Sequence, residues 1–378
     1  MSTGADLTVL LTLKDRASFT ERWMNYANSV AFPFKVVIAD GGCDPKIPTI
    51  LSETNRFPNV DYEYIRYPYD TTYADYYSKI ANALGRIRTP FVAMADNDDF
   101  YITETMRQAV EFLSANPDYA SCGGAGAYFW ISPSSATQSD LLYSKNIDWK
   151  CSSQAHSITA KTARERILSP APDVNYYDVK RTDHAREQFA LVCELNLHDL
   201  FLVEYAIQFL TAIAGKTKRL DRMYIARQYN TPNSSGVAHA EEYGGWFGRM
   251  LLETWSGDFS KFVNALAVRL AETDNICIND ARGYVIRAYR MLIAPSLLSD
   301  ILEEPTVTTS MPVVATITKY VVRLPRDSIV RKIMQRIYRT LRWVSINSVY
   351  GETVFVRPVS NSKRDFRGIM KFLACSRA

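Results

Sequence analysis

Residues 93–100 read Ala-Met-Ala-Asp-Asn-Asp-Asp-Phe. Three carboxylates, Asp96, Asp98 and Asp99, stand where an apolar run over residues 90–95 stops. A short apolar run ended this way reads as a buried strand delivering acids to its C-terminal edge. Carboxylates set so close repel one another unless a cation sits among them. A hard divalent ion, shared between carboxylates and substrate phosphates, is the usual resolution. The cluster therefore points to phosphate-linked chemistry. It does not follow the spacing of a calcium-binding loop, since no Gly or late Glu follows at the required offsets. An acidic turn capping the helix that begins near Thr103 is the alternative.

The surrounding elements must bring other groups to the same edge. Residues 7–13 form an apolar run followed by Lys14-Asp15-Arg16, and a helical pattern covers 18–30. A second strand over 34–39 ends in Asp40-Gly41-Gly42, and a third covers 63–67. Tyr76, Ile80, Ala83, Leu84 and Ile87 recur at helical spacing and predict a helix over 73–88. A fourth strand covers 91–95, and a helix covers 103–115, stopping before Asn116-Pro117. This alternation predicts βαβ units and a mostly parallel sheet flanked by helices, with ligands at the strand C-terminal edge. The three polar loops then line one crevice. Lys79 and Asn82, one helical turn apart, are candidates to face ligand phosphates, with an exposed helix face as the alternative.

Further along, residues 119–130 contain Gly123-Gly124-Ala125-Gly126, where a ligand, a second backbone or a bulge would be accommodated. Residues 132–140 read as a Ser/Pro-rich loop and 141–185 as irregular. A helix is expected over 196–214, with Asn196 or His198 near its start and Gly215 at its end. Residues 218–227 are strand-like, 240–300 helical, and 303–312 a linker. There is no internal repeat. The expected organisation is an α/β domain over 1–238, a helical extension over 239–302, and a linker with a basic C-terminal region over 303–378.

The 378 residues suffice for a large core. Six scattered cysteines form no Cys-x-x-Cys pair, which argues against zinc and for reduced thiols in a cytosolic protein. The N-terminus lacks a secretory pattern, and no run of about 18 apolar residues predicts a membrane span. The 23 tyrosines suit a sugar- or nucleotide-lined cleft, although half-buried surface positions account for most of them. The net charge of +4 is uneven, with fourteen Lys and Arg against three Asp and Glu over residues 319–378. There Ile329, Val330, Ile333, Met334, Ile337, Tyr338 and Leu341 form an amphipathic stripe surrounded by arginines. Residues 319–343 therefore fit either an anionic membrane surface or a helix packed on the domain. No motif supports nucleic-acid binding.

Taken in order, four segments resemble the glycosyltransferases of the GT-A fold, glycosyltransferase family 2 in particular, over roughly residues 5–240. Leu10-Leu11-Thr12-Leu13-Lys14-Asp15-Arg16 resembles the opening strand and nucleotide loop. Val37-Ile38-Ala39-Asp40-Gly41-Gly42 resembles the second strand, whose terminal acid meets the nucleoside. Ala95-Asp96-Asn97-Asp98-Asp99-Phe100 resembles the Asp-x-Asp metal motif, and Leu197-His198-Asp199-Leu200-Phe201 the segment that supplies the catalytic base. The chain departs from the family where Glu-Asp is replaced by His198-Asp199, and where Cys43 follows the two glycines.

The resemblance implies an inverting, metal-dependent transferase. It would move a sugar from a nucleotide-diphosphate sugar, such as a UDP-sugar, to a glycan or lipid-linked glycan in bacterial surface polysaccharide synthesis. The enzyme would be cytoplasmic or peripheral on the inner membrane face. Mn²⁺ or Mg²⁺ would be held by Asp98 and Asp96, with His239 as a further ligand better suited to Mn²⁺. Thr12, Lys14, Asp15, Arg16, Asp40 and Asn97 would surround the nucleotide, and Asp199 would take the acceptor proton. Glu194 and Asp183 are reserve bases, and Arg227, Tyr229 and Asn230 could bind donor or acceptor. Asp40 as a local turn acid and Asp199 as a helix cap are the structural alternatives. Two other classes stay open. A nucleotidyltransferase on sugar phosphates would more typically carry a Gly-rich, basic loop after the first strand. A non-catalytic binding module could keep the fold without chemistry.

Overall fold

The computed structural model describes residues 6–53, 55–132, 141–151, 157–169, 175–231, 239, 246–301 and 362–375. β1 (Leu7–Leu13), α1 (Ala17–Ser29), β2 (Lys35–Asp40), α2 (Lys46–Ser52), β3 (Tyr62–Arg66), α3 (Tyr73–Arg86) and β4 (Phe91–Asp96) alternate as the sequence predicts, with α2 as an unforeseen addition. Next come β5 (Asp99–Tyr101), α4 (Thr103–Ala115), β6 (Tyr119–Ile131), β7 (Ile147–Cys151) and α5 (Ala163–Leu168). A 3-10 turn at Asn175–Tyr177 leads into β8 (Val179–Arg181), α6 (Thr182–Leu195), α7 (Leu200–Ala214) and β9 (Lys216–Gln228). The described helices α8 (Trp246–Met250), α9 (Trp255–Asp274), α10 (Ile278–Ile301) and α11 (Ser362–Ala374) follow. None of the described helices is long and apolar enough to cross a membrane.

One sheet carries the strand order β3-β2-β1-β4-β8-β6-β9-β5, with β7 paired to β6. The longer ladders, β1–β2, β1–β4, β2–β3 and β6–β9, are parallel. The antiparallel pairings are β6–β7, with five residue pairs, and the shorter β4–β8, β5–β9 and β6–β8. The chain winds outward from β1 in both directions, so the crevice at the C-terminal ends of β1 and β4 is a topological switch point. Register brings the predicted groups level there, with Thr12 opposite Asp96 and Leu13 opposite Asp40. Every residue of β1 is buried, as expected for a central strand covered on both faces. Trp23, Met24, Ile47, Met106 and Val110 cover one face from α1, α2 and α4. On the other face α3 packs with α6 through Tyr77 and Phe189.

Residues 141–185 are more ordered than the irregular reading, since they hold β7, α5, β8 and the start of α6. β8 has only three residues, too few to show periodicity. α6 is anchored by tertiary bonds, Thr182 N–H to Pro90 O at 2.9 Å and Arg186 Nε to Leu84 O at 3.1 Å. Asn196 is corrected from a helix start to a helix end. It sits in the left-handed region (φ 45°) as the cap of α6, a conformation Asn tolerates. The glycine run in β6 carries register shifts around Ala125, and Gly124 faces the backbone of Arg222.

The contacts divide the chain into residues 1–295 with 358–378, and residues 296–357. In the first unit α11 packs Phe366, Ile369 and Leu373 against Tyr26, Phe100 and Phe129, with Arg364, Arg367 and Lys371 exposed. The linker over 303–312 and the amphipathic stripe over 329–341 lie outside the described residues.

Candidate active site

The site is built at the end of β4. Oxygens of Asp96, Asp98 and Asp99 lie within 4.8 Å of one another, the only such group of candidate metal ligands among the described residues. Asp99 thus joins Asp96 and Asp98, the two acids chosen as metal ligands from the sequence. Each carboxylate has its own compensating donors. Asp96 accepts from Thr12 Oγ1 at 3.0 Å and from the Tyr177 hydroxyl at 2.5 Å. Asp98 pairs with Arg16 Nη2 at 3.0 Å, and Asp99 with Arg227 Nε at 3.0 Å. Burial, with the Asp98 charge second, raises the Asp96 carboxyl above its ordinary range. Burial pushes Asp99 up to about 8 despite Arg227. An all-oxygen, electron-rich donor set of this kind fits a hard divalent cation. Asn97 instead points inward and donates to Thr20 Oγ1 at 3.1 Å.

The loop after β1 supplies Arg16 through an unusual backbone. Asp15 and Arg16 both occupy the left-handed region, at φ 59° and 62°. Each such non-glycine residue costs roughly 1–2 kcal/mol. The turn aims Asp15 Oδ1 at the Cys43 and Asp44 amides, at 2.6 and 2.9 Å. Burial opposes ionisation of Asp15, but those backbone donors outweigh it and leave the carboxyl below its ordinary value. Gly42 is required here, because a Cβ would stand 2.3 Å from the Asp15 nitrogen. A Cβ on Gly41 would likewise collide with the Asp70 carboxylate.

Several predicted nucleotide ligands are placed in supporting positions. Asp40 is fully buried and accepts from Gly42 N–H, the Tyr64 hydroxyl and Arg66 Nη1, each at 2.8 Å. Lys79 turns inward to Leu13 O at 2.9 Å and to Asp70, while Asn82 is exposed and accepts from the Tyr67 hydroxyl. The two therefore do not share a face open to the crevice. Lys14 is exposed, its ammonium 4.8 Å from the Tyr69 ring centre.

Asp199 caps α7, its Oδ1 accepting from Leu202 N–H at 2.9 Å while Oδ2 lies 3.4 Å from Arg249 Nε. Arg249 stacks over Phe201 at 4.1 Å. His198 is exposed and faces Asp258, whose Oδ2 also accepts from the His198 amide at 2.6 Å. The structure does not bring His239 into the carboxylate group. His239 is buried between the Tyr73 and Phe201 rings, at 5.7 and 5.6 Å. Asp183 starts α6 beside the N-terminal end of β4, where Arg181 pairs with Phe91. That is the sheet edge opposite Asp96. Glu194 is exposed near the end of the same helix.

Two groups were not selected from the sequence. Tyr177 joins Asp96 to Arg227, which donates to its hydroxyl at 3.0 Å and stacks on its ring at 4.4 Å. The irregular reading of its segment hid it. Glu204, one turn into α7, feels the charges of Arg227, Asp96, Arg249 and Asp199, and burial pushes its carboxyl up to about 7. The lone charged residue inside a mostly apolar helix was the available signal.

No protein-family model matches this chain, and no curated protein matches it. Among solved structures it is similar to residues 1–349 of S. aureus TarS, at 14% identity and a TM-score of 0.46. The match covers 92% of this chain and 93% of that one. The same TarS fragment in complex with UDP-GlcNAc matches at 13% identity and 0.46 over the same shares. The complex with UDP matches at 14% and 0.36, covering 75% of this chain and 89% of that one.

Proposed function

We propose that this protein is an inverting, metal-dependent glycosyltransferase that moves a sugar from a nucleotide-diphosphate sugar to a glycan or lipid-linked hydroxyl. One observation carries the reading: the Asp96, Asp98 and Asp99 oxygens meet at the switch-point edge, level with the loops after β1 and β2. A divalent cation held by these acids would supply positive charge for the departing diphosphate. Arg16 and Arg227 keep the acids in place and add two fixed cations beside the leaving group. Lys14 and Tyr69 offer an exposed cation and ring for the nucleoside.

The proton acceptor is Asp199 in the reading taken from the family resemblance. A specific observation favours a second candidate. Asp199 already caps a helix and faces Arg249, whereas Glu204 is raised to about 7, near the working pH of a general base. If Glu204 is the base, kcat/KM rises with pH to a plateau above about 7, since only the ionised form accepts a proton. Glu204→Gln then abolishes that limb. A limb that survives in Glu204→Gln, with Asp199→Asn the inactive variant, assigns the role to Asp199.

The donor reading is tested by thermal-shift measurements with UDP-glucose, UDP-galactose and UDP-N-acetylglucosamine, with and without Mn²⁺. Ligand at 100 times its Kd stabilises by about 2.7 kcal/mol. For one of the three the midpoint should rise with Mn²⁺ and fall back with chelator. No metal-dependent response to a wider set of nucleotide-sugars would sink the proposal.

A further inference from the structure

The face of the sheet that carries Asp99 continues into an aromatic strip. Register places Asp99 beside Arg227, and Arg227 beside Tyr128. These side chains therefore share one face, opposite the face on which α11 packs against Phe129 and Phe100. From the acid the contacts run outward without a break. Arg227 lies 3.0 Å from Asp99 and 5.9 Å from the Tyr128 ring centre. Tyr128 meets Tyr229 edge-on at 5.6 Å, and Tyr229 meets Trp130 at 5.1 Å. Tyr229 is 62% exposed, although it sits at the end of a buried strand.

The strip is held in place before any ligand arrives. Tyr229 N–H donates to Phe129 O at 2.9 Å, extending the β6–β9 ladder by one residue. The Asn230 amide then acts as a substitute strand, donating to Ile131 O at 2.8 Å and accepting from Ile131 N–H at 3.2 Å. Fixing the ring beforehand lowers the ordering cost that a ligand stacking on it would otherwise meet.

We propose that Tyr128, Tyr229 and Trp130 form an acceptor subsite for the pyranose rings of an oligosaccharide. This inference rests on the glycosyltransferase reading and names the substrate class of its second half. A pyranose has an apolar C–H face and a rim of hydroxyls. Aromatic rings set at angles to one another, with phenolic tips and the Lys150 ammonium 5.3 Å over the Trp130 ring, match both. Three rings are too little surface for a stable protein partner, which buries about 800 Å² per side. The strip also leads to the acid cluster, so a sugar stacked at its inner end lies next to the site where transfer would occur.

The test uses the full chain with cellotetraose, chitotetraose, maltotetraose and mannotetraose as probes, followed by saturation-transfer NMR and tryptophan fluorescence. At least one tetrasaccharide should bind wild type, and Tyr229→Ala should weaken it about tenfold or more. Tyr229→Phe, which keeps the ring, should retain binding to within a few-fold. The nucleotide-sugar thermal shift of Tyr229→Ala should persist, separating acceptor from donor effects. Equal affinity in wild type and Tyr229→Ala overturns the proposal, as does a wild type that responds to donor but to none of the four probes. A wild type that binds a tetrasaccharide through Tyr229 but no nucleotide-sugar supports the strip and overturns the parent reading instead.

Discussion

Asp98→Asn should lower sugar transfer by about 10²–10³-fold, the range seen when one preorganised electrostatic group is removed from a reaction centre. The substitution is nearly isosteric and leaves the amide able to accept from Arg16, which now pairs with Asp98 at 3.0 Å. The fold should therefore survive. Its metal-free stability should be unchanged or slightly higher, because the Asp98 charge that raises the Asp96 carboxyl is removed while the Arg16 contact is kept. The stabilisation by Mn²⁺ should disappear at the same time. These opposite directions distinguish a lost ligand from a damaged fold. Asp183→Asn is the control, since that acid lies at the other end of β4, is 85% exposed and pairs only locally with Arg186. An Asp98→Asn protein with near-normal transfer and an undiminished Mn²⁺ response would remove the metal from the mechanism.

Lys79→Met should destabilise the protein by roughly 3–5 kcal/mol, the cost of leaving one member of a buried ion pair alone. Lys79 and Asp70 are each 2% exposed, and Lys79 also donates to Leu13 O at 2.9 Å, tying α3 to the end of β1. Burial lowers the Lys79 pKa and raises that of Asp70, each relieved in part by the partner. Without Lys79 the Asp70 carboxyl is raised further. A carboxyl whose folded pKa exceeds its unfolded value of 3.8 binds its proton in the folded state first, so stability falls as pH rises through that window. The deficit of Lys79→Met should therefore be smaller near pH 5 than near pH 8. Adding Asp70→Leu should recover most of the loss, because an apolar pair has no charge to desolvate. Urea denaturation at the two pH values measures all three outcomes. A loss below about 1 kcal/mol, with no pH dependence, would mean that the pair is solvated and its role in holding the loop is wrong.

These two residues show where sequence reading works. Asp98 was legible because a strand of five apolar residues and an acidic end need no tertiary information to be recognised. For Lys79 helical spacing alone gives neighbouring positions, not which of them faces inward. The neighbour that decides it, Asp70, lies on the loop after β3. Tyr177 and the β8–α6 segment were missed for a related reason. The turn holding Tyr177 and β8 are too short to show a local repeat, and tertiary hydrogen bonds to Asp96, Arg227 and Pro90 place them. The same holds for α11, whose place behind β6 follows from which apolar surface was left uncovered.

By itself the sequence determined the alternation of β1 to β4 with their helices, and hence the edge at which Asp15, Asp40 and the Asp96–Asp99 cluster emerge. Hydrophobic periodicity is a local property, and parallel connection follows from it with few alternatives. Only the tertiary structure decided which of those acids remain open and which are already satisfied. Asp40 is closed by Tyr64 and Arg66, Asp199 is engaged by a helix end and Arg249, and Asp99 and Glu204 stand with raised carboxyls. The physical reason is that burial and partner charge set the state of an ionisable group. Both depend on residues distant in sequence: Arg227 is 128 positions from Asp99.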